Sequence, residues 1–288
     1  MVRSIKSQIA ARCRARGITR PDNGQAPTGA IIWQGPSAWD GEPIAVVLSW
    51  SGCTASGDGA NSKTGRMVQS YIVRQTGSPV ADLKTGADAS ICGDCVHRPE
   101  LVAEALAAGK PSPGRCYVHV GQGPRAVADG MARGIYPTIT LADAVELVRG
   151  FALRLGTYGD PGMVPAAFWA ELVAAASDHT GYTHRATDTG ADLLGLVMAS
   201  ADSLTEAREL QQDGWATFRV STDPSETRDR GEARCPASAE AGRRVTCETC
   251  PIKCNGAETG AMLGRVILDH GPGGIGRTMG LTPSEARA

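Results

Sequence analysis

Apolar and polar positions along the middle of the chain alternate between short apolar runs and stripes of helical period. Leu141, Ala144, Val145 and Val148 recur at helix spacing behind a Thr140/Asp143 capping pair, which predicts a helix from Leu141 to Arg149. A strand Leu153–Tyr158 follows, then a helix Pro165–Ala176 with Phe168, Leu172 and Ala176 on one stripe. Beyond it the pattern predicts a short strand near Gly181–His184, a strand Leu193–Met198, and a helix Leu204–Gln211 opened by Ser203/Glu206 and closed by Gly214. Strands Trp215–Val220 and Met262–Asp269 complete the series. Upstream, Pro99 opens a short helix that Gly109 closes, and a strand Tyr117–Val120 leads into a helix Ala126–Arg133. Strands alternating with helices argue for a parallel sheet, and about six of them suggest an α/β fold with a complete or partial βα (TIM-like) barrel. A doubly wound open sheet is the competing arrangement.

The first third of the chain reads differently. Residues 1 to 30 form a basic lead-in with Arg3, Lys6, Arg12, Arg14 and Arg16, and Thr19 to Ala30 has loop composition. Ile31-Ile32-Trp33 and Pro43 to Trp50 are apolar runs separated by turn residues, a hairpin-like pair, and Met67 to Val73 is strand-like. The expected organisation is therefore a basic, β-rich N-terminal extension over residues 1–90. A barrel-like metal-binding domain would occupy 91–288 and contain a cysteine-rich C-terminal segment.

Charge narrows the function classes. The chain has 288 residues and a net charge of -1, which gives no general attraction to nucleic acid or to an anionic membrane. No apolar run reaches bilayer length, and the basic N-terminus has no apolar stretch after it to make a signal peptide. The expectation is a cytoplasmic protein that binds neither membrane nor nucleic acid.

Nine cysteines change the picture. Cys247, Cys250 and Cys254 stand at C-x2-C-x3-C spacing with Cys235 upstream, and Cys92 and Cys95 form a C-x2-C pair followed by Cys116. In a reducing compartment such spacing favours metal over disulfides. Soft thiolates suit iron–sulfur clusters, and Pro236 and Pro251 beside the cysteines fit that choice. Structural zinc is the alternative, because it also uses C-x2-C pairs. The first group has three thiols, so it either leaves one iron of a [4Fe–4S] cluster open or takes a fourth ligand such as His97 or His119. All seven sharing one larger arrangement is a further option. Cys13 and Cys53 read as inert buried thiols.

Other polar residues are candidates for the surroundings. The glycine-rich loop from Ser51 to Gly65 has Lys63-Thr64 at P-loop spacing from Gly57, but Ser62 stands where the second glycine is needed and a strand-like run follows. It reads as a loop that lays Lys63 near an anionic ligand. In a βα-barrel, function gathers at the C-terminal ends of strands, where His119, Asp160, His184, Ser200/Asp202 and His270 fall. Asp160, Tyr182 and His184 are the catalytic candidates, and Lys63, His119 and His270 the cofactor-binding ones. Asp160 and Asp202 have a simpler reading as helix caps. Gly271 to Gly276 matches G-x-G-x-x-G and reads as a C-terminal loop.

Asn61-Ser-Lys-Thr-Gly-Arg-Met-Val-Gln, the Cys92–Cys95 pair with Cys116-Tyr117, Leu153-Arg-Leu-Gly-Thr-Tyr-Gly-Asp160 and Thr180-Gly-Tyr-Thr-His184 together resemble a set of uncharacterised bacteriophage proteins. Their layout is similar to radical-SAM enzymes, which use a partial barrel and a three-cysteine cluster. The resemblance covers most of residues 55 to 270. It implies an iron–sulfur protein in the host cytoplasm, with an open-iron cluster that meets a small-molecule substrate or an electron donor. Two departures separate the chain from SAM cleavage. Its three cysteines are spread beyond a compact C-x3-C-x2-C loop, and it has no Gly-Gly-Glu segment. A zinc-stabilised protein that binds a host partner without catalysis is the second expectation. Nucleic-acid binding through the basic N-terminus is the third, and the balanced charge speaks against it.

Overall fold

The structure is a computed structural model of the chain and describes residues 3–54, 63–110, 116–221, 232–238, 241, 245–257 and 264–268. Among these, ten strands and eight α-helices build a mixed α/β architecture with two five-stranded sheets. No closed barrel is found among the described residues.

The first sheet begins with the hairpin expected from the apolar runs. Strands β1 (Gly29–Pro36) and β2 (Pro43–Ser49) pair antiparallel, with a bulge between Ile31 and Trp33. Strand β3 (Val68–Arg74) adds antiparallel to β2. The direction then changes: β4 (Ala152–Tyr158) lies parallel to β3, and β5 (Asp178–Thr180) parallel to β4. Thus β3, although it belongs to the β-rich first third, is the parallel neighbour of the first strand after residue 90.

The second sheet is parallel throughout, in the order β6-β7-β8-β10-β9. Its strands are β6 (Tyr182–Thr183), β7 (Met198–Ala201), β8 (Thr217–Ser221), β9 (Glu232–Arg234) and β10 (Gly264–Leu268). Only Gly181 separates β5 from β6, so one short run of chain serves both sheets. A Cβ there would stand 2.6 Å from Val197 Cγ1 and 3.0 Å from Leu155 Cβ, so glycine lets the chain pass between two core side chains.

The helices pack where their apolar stripes direct them. Helix α6 (Leu141–Val148) is capped by Thr140, whose hydroxyl accepts from Asp143 N, and buries Ala144, Leu147 and Val148 against α7 (Ala166–Ala175). Helix α8 (Leu204–Gln212) starts with the Ser203 hydroxyl accepting from Glu206 N and packs on β7 and β8. Helices α2 (Pro79–Thr85), α3 (Ala89–Cys92), α4 (Pro99–Ala107) and α5 (Gly123–Ala132) fill the connection from β3 to β4. One hydrophobic core joins β2, where Ile44 through Leu48 are fully buried, to Leu153, Leu155, Trp169, Leu172 and Trp215.

Three expectations need correction. Residues 5–15 form a helix, α1 (Ile5–Ala15), rather than part of a loose lead-in; Ile9 and Cys13, one turn apart, are fully buried against the core. Tyr117 to Val120 alternates like a strand yet joins no sheet among the described residues and runs as a loop. The apolar run at Leu193 is a turn that buries Leu193 and Val197, and the strand itself is Met198–Ala201. Its small residues have weak strand propensity, and burial between β6 and β8 decides the outcome.

Candidate metal centre

Strand alternation turns every second residue of the parallel strands toward one cavity of about 240 Å³. Arg154, Gly156 and Tyr158 come from β4, and Thr180, Tyr182 and His184 come from the run through β5 and β6. Ser200 follows on β7 and Asp202 just past its end, Phe218 and Val220 on β8, and Arg265 and Ile267 on β10. Cys92, Cys95, Cys116, Cys235, Cys247, Cys250 and Cys254 all line the same cavity. Cys13 and Cys53 do not; both lie in the hydrophobic core, where burial pushes their thiols up to about 11 and about 12.

The thiols separate into the two groups their spacing suggests. Cys92 has Cys95 and Cys116 as its electrostatic neighbours, whereas Cys235 has Cys247 and Cys250, and Cys254 has Cys235 and Cys247. Burial raises the pKa of Cys92, Cys116, Cys235 and Cys254, the last to about 12. Such thiols ionise when a cation meets them, and a metal does this most effectively. Lys63 acts on Cys235 and Arg265 on Cys254 in that same direction.

The three-thiol group sits beyond the C-terminal ends of the strands. Cys92 ends α3, and the loop Gly93–Arg98 is held by two buried guanidinium groups. Arg98 donates to Gly93 O at 3.0 Å and to Asp88 Oδ1 at 2.9 Å. Arg185 pairs with Asp94 and Asp188 and lies 4.5 Å over the Trp39 ring. Gly93 itself has φ +60°, and a Cβ there would meet Met163 Cε at 3.0 Å and Arg185 Cδ at 3.1 Å. Cys116 N donates to His97 O at 3.3 Å, which brings the distant third thiol to the loop.

The 247–254 segment of the four-thiol group lies toward the opposite ends of the strands, and Cys235 reaches it from the C-terminal end of β9. Gly181 N donates to Cys254 O, and Gly256 packs on the Val197 backbone just before β7. Cys247 N and Glu248 N donate to Lys63 O and Thr64 O, just before β3, and Glu248 pairs with Arg66 at 2.6 Å. Lys253 Nζ reaches Asp178 at 3.1 Å. Tyr182 hydrogen-bonds Cys254 and packs at a tilt against Phe218 with ring centroids 4.7 Å apart. Cys235 comes directly after β9, its N–H donating to Val266 O on β10.

The remaining predicted residues divide. Lys63, Asp160, Tyr182 and His184 line the cavity. Asp160 is buried, and burial raises its pKa; its oxygens accept from Gly162 N, Thr183 Oγ1 and His184 N. It therefore ties the end of β4 to the end of β6 and positions His184, combining the capping reading with a place at the site. His119 does not line the cavity: it is exposed on the 117–120 loop, and Tyr117 and Val118 face inward instead. His270 and the glycines from 271 to 276 lie outside the described residues, as do Gly57, Asn61 and Ser62.

One grouping was not assembled from the sequence. His97 Nε2 lies 3.0 Å and His184 Nε2 3.5 Å from the same oxygen, Asp202 Oδ1, and the rings meet edge to face at 5.4 Å. The other nitrogen of His184 is 3.7 Å from Cys95 Sγ. Burial disfavours charge on His184, yet the hydrogen bonds to Asp202 and Cys95 outweigh it and hold its pKa well above the usual value. The signal available was positional: His184 and Asp202 both fall just past neighbouring strands. Among the described residues, buried polar atoms on cavity-lining residues, including Tyr158 Oη, Thr180 Oγ1, Arg154 Nε and His97 Nδ1, have no hydrogen-bond partner. Compared with known protein families, curated proteins and solved structures, the chain gives no match.

Proposed function

We propose that the chain is an iron–sulfur protein built on a partial βα-barrel, with two clusters in one cavity. The observation that carries this reading is the convergence of seven thiols, from segments up to 162 residues apart (Cys92 to Cys254), on one cavity that parallel strands also line. Cys235, Cys247, Cys250 and Cys254 would hold an all-thiolate [4Fe–4S] cluster. Cys92, Cys95 and Cys116 would hold a second, with one iron left for a ligand from the cavity. The position of the three-thiol group at strand C-terminal ends is where α/β folds place their chemistry. The unpartnered atoms of Tyr158, Thr180 and Arg154 give a small polar substrate hydrogen-bonding groups inside the same space.

Spacing also bears on zinc. A tetrahedral zinc with bonds of about 2.3 Å needs its thiolate sulfurs about 3.8 Å apart. Among the described residues no three thiols close to within 4.8 Å of one another. A cluster, whose ligand sulfurs bind separate irons, takes the wider set.

Metal, sulfide and absorbance analysis of anaerobically purified protein tests this. A brown protein with acid-labile sulfide and about eight irons per chain is expected. A colourless protein holding zinc would overturn the proposal and leave a structural, partner-binding role.

A further inference from the structure

We infer that His97, His184 and Asp202 form a separate site for a single divalent transition metal, independent of what the thiols hold. The three residues reach one point from three elements: the loop after Cys95, the end of β6 and the end of β7. Among the described residues, they are the one group of three potential ligands whose ligating atoms all lie within 4.8 Å of one another.

The separations suit a metal. With bonds of about 2.1 Å, neighbouring ligand atoms lie about 3.0 Å apart in an octahedral site and about 3.4 Å in a tetrahedral one. The two nitrogen-to-oxygen separations are 3.0 and 3.5 Å. Two imidazoles and one carboxylate are the ligand set for Fe2+, Zn2+, Co2+ or Mn2+, and they leave positions open. All three side chains line the cavity, so the open positions face the space where a substrate would sit. His184 is oriented for the role from both sides, its backbone N–H on Asp160 Oδ2 at 2.8 Å and its Nδ1 beside Cys95. A plain His–Asp–His hydrogen-bond chain is the competing account. It requires a proton on each Nε2, whereas a metal requires both lone pairs there.

The test titrates Co2+ into anaerobically purified protein from which a chelator has stripped loosely held ions. Wild type is compared with Asp202→Asn and His97→Gln. Wild type should take up one Co2+ more than either variant, and the difference spectrum should show ligand-field bands without sulfur-to-cobalt charge transfer. The variants should weaken this binding by more than the ~10–100-fold that loss of a supporting hydrogen bond costs. Their iron and sulfide should match wild type, which separates this site from the thiol centres. Equal Co2+ uptake in all three proteins, or a sulfur-to-cobalt band in the difference, would overturn the inference. Should His97→Gln fail to fold, Asp202→Asn carries the test, because its side chain is 29% exposed.

Discussion

The two thiol groups share a cavity but are held by different means. The three-thiol loop is fixed by side-chain charge: Arg98 on Asp88 and Arg185 on Asp94, with both guanidinium groups buried. The four-thiol segment is fixed by backbone hydrogen bonds to residues 63, 64 and 181, with ion pairs from Glu248 to a half-exposed Arg66 and from Lys253 to Asp178. Its remaining member, Cys235, depends on β9, which is anchored by Glu232 to Arg219 at 2.8 Å with both side chains 2% exposed. One thiol group is thus set by a braced loop and the other largely by backbone contacts to the strands.

That contrast can be broken one side at a time. Cys116→Ala should remove one cluster, about half of the iron and sulfide, and leave the other intact. Cys254→Ala should do the reverse, and iron analysis with low-temperature EPR reads both. If either variant lost all iron, the two groups would not be separate centres. Glu232→Gln removes the charge from a buried ion pair with Arg219 and should cost about 3–5 kcal/mol of stability by denaturant unfolding. Its effect on metal should fall on the four-thiol centre. Gly93→Ala forces a side chain into left-handed backbone against Arg185 and should cost about 1–2 kcal/mol, with loss confined to the three-thiol centre. Glu248→Gln removes a pair whose Arg66 partner is half exposed and should change stability by about 0–1 kcal/mol. Cys13→Ser and Cys53→Ser sharpen the comparison from outside, because their iron content should equal that of wild type.

Much of the fold was legible because local rules and burial agree. The Thr140 and Ser203 caps, the hairpin runs of β1 and β2, and the strand Leu153–Tyr158 all appear where the pattern puts them. Failure came where local pattern and packing part company. Helix α1 buries only Ile9 and Cys13 of its eleven residues, so its charged positions mask the stripe. Tyr117 to Val120 has strand alternation without a partner strand; its inward positions face the cavity instead. His119 then points away from the site, because a loop need not keep a strand's alternation.

The sequence by itself determined two local cysteine clusters, Cys92–Cys95 and Cys247–Cys254, because ligand spacing is local along the chain. It also determined the alternation that gives parallel strands with polar residues past their ends. Tertiary structure alone decided that the thiols line one cavity and that Cys116 joins Cys92 and Cys95. It also brought His97 to Asp202, 105 residues away. Those are long-range contacts set by sheet register and by buried ion pairs, and no local pattern encodes them.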